Sequence, residues 1–211
     1  LAGLIVVVHH VDDPMLPMPL FREARFTVSA LVGLALNISF FGQLFVLSLF
    51  FQRTLGLDAW DAGLALAPQA CSAVVAAPLG GRAAARFGVF PAMLMGLVLG
   101  AAGFAGTAFI GSGTAPLVVS GVTFAAGFGM AFAMPAATAA AVSAVPDELA
   151  GTAGGVVNAA RQTGSVAGVA ILGGVVAADA SPSGFRVAML MAAGIFIAAA
   201  ALVSAAARDP A

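Results

Sequence analysis

Lysine does not occur in this chain, and charge of either sign is scarce: eight arginines and nine Asp or Glu make up 8% of 211 residues. A soluble domain carries about 25% charged residues. A chain with so few cannot cover a water-facing surface, and with 62% hydrophobic residues it is expected to be a membrane protein. The all-arginine basic set reads as a coding-composition bias rather than chemistry. A net charge of −1 without a basic patch offers no phosphate contacts, so no nucleic-acid partner is expected. The single cysteine, Cys71, excludes an internal disulfide and leaves the redox compartment open. Catalytic signatures are missing as well: no HExxH, GxSxG or CxxC, and no lysine to complete a phosphate-binding loop. Gly127-Phe128-Gly129 follows no strand and is not a nucleotide loop. His9, His10, Asp12 and Asp13 are adjacent loop residues that do not converge on one ion unaided. No enzyme, metal or other cofactor is expected.

What is present is long apolar runs. No Asp, Glu or Arg interrupts the stretches between Arg25 and Arg53, Asp61 and Arg82, or Arg186 and Arg208. Each is long enough for one helix across a hydrocarbon layer of about 30 Å. The uncharged stretch from Arg86 to Asp147 is too long for one crossing and breaks at Gly111-Ser112-Gly113-Thr114-Ala115-Pro116. With the run after Gly151, six transmembrane helices are expected, about 26–51, 62–80, 91–110, 117–142, 151–178 and 186–206. Continuous rather than alternating apolar runs argue against a β-barrel. The fold class is thus all-α integral membrane.

Leu1–Val8 is too short to span and follows no basic leader, so it reads as the tail of an earlier helix in a longer protein. The expected organisation is residues 1–25 as that tail plus a cytoplasmic linker, 26–207 as the six-helix unit, and 208–211 as a cytoplasmic tail. Arginine placement sets the orientation. Arg22, Arg25, Arg82, Arg86 and Arg208 fall on one side, Arg53 and Arg186 on the other. The richer side is expected to be cytoplasmic, in a multi-pass protein whose C-terminus is cytoplasmic.

Polar side chains inside membrane helices are costly and normally face a protein interior or a water-filled cavity. On the fifth span Asn158, Arg161, Gln162 and Ser165 recur at i, i+3, i+4, i+7 and share one face. Arg161 either snorkels to the cytoplasmic interface and ties helices together, or lines a substrate path or a charge pair that rearranges in transport. No acid within the six spans can pair with it. On the first span Gly33, Asn37, Phe41, Leu44 and Ser48 form a second stripe, with Gln43 to one side; on the second, Gln69 and Ser72 lie three apart beside Pro68. Asn37, Gln43, Gln69, Asn158, Arg161 and Gln162 are therefore the substrate-pathway candidates, against interhelical hydrogen bonding as the alternative. Gly96 and Gly100, and Gly164 and Gly168, have the spacing of close helix packing.

Six spans with short loops, an arginine-bearing segment after the second and a small-residue-rich fifth look like one half of a major facilitator superfamily transporter. The details resemble the C-terminal half of the fourteen-helix drug:proton antiporter branch. Pro14-Met15-Leu16-Pro17-Met18-Pro19-Leu20-Phe21-Arg22 is similar to the segment leading into that half. Gly63-Leu64-Ala65-Leu66-Ala67-Pro68 resembles the start of its second helix. Val145-Pro146-Asp147-Glu148-Leu149-Ala150-Gly151 and Asn158-Ala159-Ala160-Arg161-Gln162 resemble its fourth-to-fifth junction and fifth helix. Members often carry a gating loop G-x-x-x-D-R-x-G-R-R between second and third helices. Gly81, Arg86 and Gly88 match it, while Ala85 stands at the aspartate position and Val89 and Phe90 at the trailing basics. The resemblance implies a cytoplasmic gating loop at Gly81, Arg82, Arg86 and Gly88.

It further implies a secondary transporter of a bacterial plasma membrane, exporting drugs or amphiphilic metabolites by alternating access in exchange for protons. Its partners would be a small-molecule substrate, protons, the lipid bilayer and an N-terminal half outside this sequence. An importer of the same fold, or a scaffold subunit that does not transport, are the alternatives.

Overall fold

A backbone crossing hydrocarbon must satisfy its N–H and C=O groups within itself, which a helix does and a loop does not. The computed structural model describes residues 18–208 and folds the apolar runs into six α-helices. They are α1 (Ala24–Arg53), α2 (Ala59–Phe87), α3 (Val89–Thr107), α4 (Pro116–Val142), α5 (Ala150–Ala178) and α6 (Pro182–Ala206). Short 3₁₀ turns at Met18–Arg22 and Asp147–Leu149 precede α1 and α5. No strand occurs among the described residues. The His9–Asp13 cluster, the earlier-helix tail and residues 209–211 lie outside them. Five of the helices are long and apolar enough to cross a membrane. The remaining one, α5, has the length, with 29 residues, but Asn158, Arg161, Gln162 and Thr163 dilute its apolar run.

Local chemistry sets the helix ends. Asp58 caps α2, its carboxylate accepting from Asp61 N–H at 2.8 Å. Pro116 and Pro182 open α4 and α6, where a missing N–H costs nothing. Before α6, hydrogen bonds from Ser181, then Ser183 and the Gly184 backbone, hold the Asp179 carboxyl below the usual carboxylate range. Gly88 alone separates α2 from α3, at φ 93° and ψ 160°, a region open essentially to glycine.

The packing partners give the helix directions. Gly33 lies beside Val157 and Arg161, Gly42 beside Gly168 and Leu172, so α1 and α5 run parallel. Gly127 meets Gln69 while Gly80 meets Phe132, so α2 and α4 also run parallel. Gly96 faces Ala133 and Gly103 faces Ala126, so α3 and α4 are antiparallel. Phe104 meets Phe196 edge-on at 4.7 Å between α3 and α6. Exchanging α1–α3 with α4–α6 turns the α1/α5 interface into α4/α2 and the α1/α6 interface into α4/α3. This is the pattern of two three-helix repeats in opposite orientation. The core runs through Met93, Leu97, Phe104, Met189 and Phe196, all fully buried. A smaller cluster, Leu20, Phe26, Ala30, Ala141, Ala153 and Val157, closes the end that carries Arg22, Arg25, Arg82, Arg86 and Arg208.

The expected second span, 62–80, is the centre of a longer helix. Gly81, Arg82 and Arg86, assigned to a loop from the sequence, continue α2 to Phe87. Alanines 83–85 are strong helix formers, buried Ala83 anchors the inner face, and the turn is compressed into Gly88.

Candidate functional site

Glycines bring α1 and α5 together. A Cβ at Gly164 would press on Leu34 O, and one at Gly168 on Ile38 O. This close approach lets polar groups of the two helices meet. Asn37 is buried and donates through Nδ2 to Gly33 O at 2.9 Å. The Ser165 hydroxyl donates to Arg161 O at 3.1 Å and lies 3.4 Å from Asn37 Oδ1. Gly33 seats the Arg161 stem: a Cβ there would stand 3.3 Å from Arg161 Cγ. Arg161 is half-buried, and its Nε is buried without a hydrogen-bond partner among the described residues. It lies about 16 Å along α5 from Ala150, well inside the helix rather than at its end. Asn158, about a turn before it, and Gln162, the next residue, are exposed.

The face read from the sequence is thus split. Arg161 and Ser165 lean on α1, and Asn158 and Gln162 point away from this bundle. The first-span stripe is split too, since Gly33 and Asn37 face α5 while Phe41 is exposed.

Gln43 and Gln69 come together at a different place. Gln69 Nε2 donates to Gln43 Oε1 at 2.7 Å between α1 and α2. Both side chains are buried, with relative exposures of 0% for Gln43 and 1% for Gln69. Gln43 Nε2 and Gln69 Oε1 have no partner among the described residues. Gly127 of α4 opens the notch that Gln69 occupies: a Cβ there would stand 2.9 Å from Gln69 Cγ and 2.6 Å from Ser72 Oγ. Sequence reasoning found these residues but missed the pairing, because no helical spacing links positions on separate helices.

Arg82 and Arg86 stand exposed on the last turns of α2, Arg86 over the Phe87 ring at 5.3 Å. At the opposite end Arg186 lies over the Phe109 ring at 5.6 Å and reaches Ala108 O at 3.4 Å. Nearby, Phe45, Phe50, Arg53, Gly173, Val176 and Phe185 contribute to a cavity of about 370 Å³ between α1, α5 and α6. Phe50 and Phe185 stack there at 4.1 Å. No group of three or more metal-ligating side chains occurs among the described residues.

Comparison with known proteins gives this geometry a family. The methylenomycin A resistance protein of Streptomyces coelicolor is 37% identical over 165 residues, covering 78% of this chain and 35% of that protein. The tetracenomycin C resistance and export protein of Streptomyces glaucescens is 30% identical over 172 residues, covering 82% of this chain and 32% of that protein. The chain thus spans about a third of the length of these curated relatives. The crystal structure of the nucleoside transporter NupG (D323A mutant) shares the fold, with a TM-score of 0.69 at 18% identity over 89% of this chain and 49% of that one. The sequence pattern of the Major Facilitator Superfamily matches residues 30–211, and the chain belongs to that superfamily.

Proposed function

We propose that this chain forms one half of a secondary transporter that exports drugs or amphiphilic metabolites by alternating access, driven by protons. The carrying observation is the seat of Arg161 within α5, its Nε buried and unpartnered among the described residues, with the amides of Asn158 and Gln162 exposed beside it. Two amides on an outward face, beside a half-buried arginine, are costly against lipid, and far less so against a second protein half across a water-filled cavity. The resistance and export named for the relatives support export over import. In this reading residues 26–207 are the six-helix half, held in a bacterial plasma membrane. The arginine-rich end, with the C-terminus, faces the cytoplasm. There Arg82 and Arg86 clamp the closed state from the end of α2. The spans hold no carboxylate to carry a proton, so coupling falls to residues of the other half.

The test is Arg161→Ala in the full-length protein, with export and membrane insertion both measured. Export should be lost while insertion stays at the wild-type level. Normal export by a well-inserted variant would reduce Arg161 to a packing residue.

A further inference from the structure

The Gln43–Gln69 pair is the one fully buried hydrogen bond between two side chains among the described residues, and it is half-used. Two carboxamides offer two donor groups and two acceptor oxygens. One donor and one acceptor are spent on each other at 2.7 Å. Gln43 Nε2 and Gln69 Oε1 remain, both buried and unpartnered. Exchanging O and N in both amides changes the labels but not the remainder, which is still one donor and one acceptor. A buried polar group without a partner carries its full desolvation cost, and two apolar side chains of similar size would remove that cost. The chain instead carries both amides and a glycine, Gly127, whose missing Cβ makes room for Gln69.

The pair also bridges the interface best suited to part. α1 packs mainly on α5 and α2 mainly on α4, whereas α1 and α2 share little surface. Gln69 Nε2→Gln43 Oε1 is the one side-chain hydrogen bond between α1 and α2 among the described residues. Charged side chains of the described residues lie at the helix ends, apart from Arg161, which sits on α5 against Gly33.

We propose that Gln43 and Gln69 form a binding site for a neutral group with one hydrogen-bond donor and one acceptor, a hydroxyl or an amide, filled when α1 and α2 part. The group accepts from the free N–H and donates to the free carbonyl, replacing two unmet hydrogen bonds with two met ones. It comes from a water molecule or from the transported compound. An ion does not fit, because the amides offer no net charge to balance one. This inference rests on the transport reading above and adds the substrate chemistry that one pair of residues selects.

The first test is chemical access in the full-length protein, which does not depend on knowing the substrate. Gln43→Cys and Gln69→Cys, each in a Cys71→Ser background, are treated with the small neutral reagent N-ethylmaleimide in cells. Both positions should be labelled despite their burial in this state. Slowing by an exported compound assigns the group to the substrate, and labelling that no exported compound slows assigns it to water; either keeps the site. Absence of labelling at both positions overturns it.

The second test is the double variant Gln43→Leu/Gln69→Leu, which removes both amides and leaves neither orphaned. It should insert normally and export with apparent affinity lowered roughly ten- to a hundredfold, the scale of two neutral hydrogen bonds. Unchanged affinity would overturn binding of the exported compound by the pair, leaving water as its occupant only if both cysteines are labelled. If the wild-type protein exports no compound, the transport reading fails while the labelling result still decides whether the pair opens.

Discussion

Arg161 and Gly33 are one feature made of two residues. The arginine stem lies where a side chain on Gly33 would be, 3.3 Å from Cγ to the missing Cβ. Gly33→Val should therefore displace the guanidinium, reducing export while costing about 1–3 kcal/mol of stability, the usual penalty for overfilling a packed site. Gly194 supplies the control, since a Cβ there meets nothing within 4 Å. Gly194→Ala should leave export unchanged and stability equal or slightly higher, given alanine's better helix propensity. Export assays with thermal unfolding in detergent separate the two. Equal effects of both substitutions would detach Gly33 from Arg161. The sequence showed that Arg161 needed a protein or aqueous environment, from its cost in lipid. It could not show that the seat is a glycine on α1, because that proximity exists only after α1 and α5 pack.

Helices were the most legible feature, because runs of about twenty uncharged residues leave no alternative inside a membrane. Their ends were less so. Charge was taken as the boundary of α2, yet Arg82 and Arg86 sit on helical turns beyond the apolar run, where exposed arginines carry no desolvation cost. The real boundary is conformational. Gly88 adopts φ 93° and ψ 160°, so Gly88→Ala should cost about 1–3 kcal/mol and tilt α3 against the α2 arginines. Thermal unfolding and export should both fall, whereas Ala85→Ser, at an exposed helical position three residues earlier, should change neither. A Gly88→Ala protein of wild-type stability would mean the turn tolerates a side chain after all.

The six helices together leave large apolar side chains exposed, among them Val74 at 77%, Val98 at 61% and Leu117 at 84%. Lipid covers such surface without cost, so their exposure needs no partner. The exposed amides Asn158 and Gln162 are different, because hydrocarbon cannot hydrogen-bond them. That contrast underlies the proposed transport role, in which α5 faces water or protein rather than lipid. The repeat of α1–α3 in α4–α6 emerges from which glycines meet which backbones and which helices pack together. The direct measurement is cysteine accessibility along α5 in the full-length protein, with Asn158→Cys, Gln162→Cys and Val166→Cys each in a Cys71→Ser background. A water-soluble thiol reagent should label positions 158 and 162, and a transported compound should slow that labelling. If neither position reacts while both take up a lipid-soluble reagent, α5 faces the bilayer and the account of a transport pathway beside Arg161 is wrong.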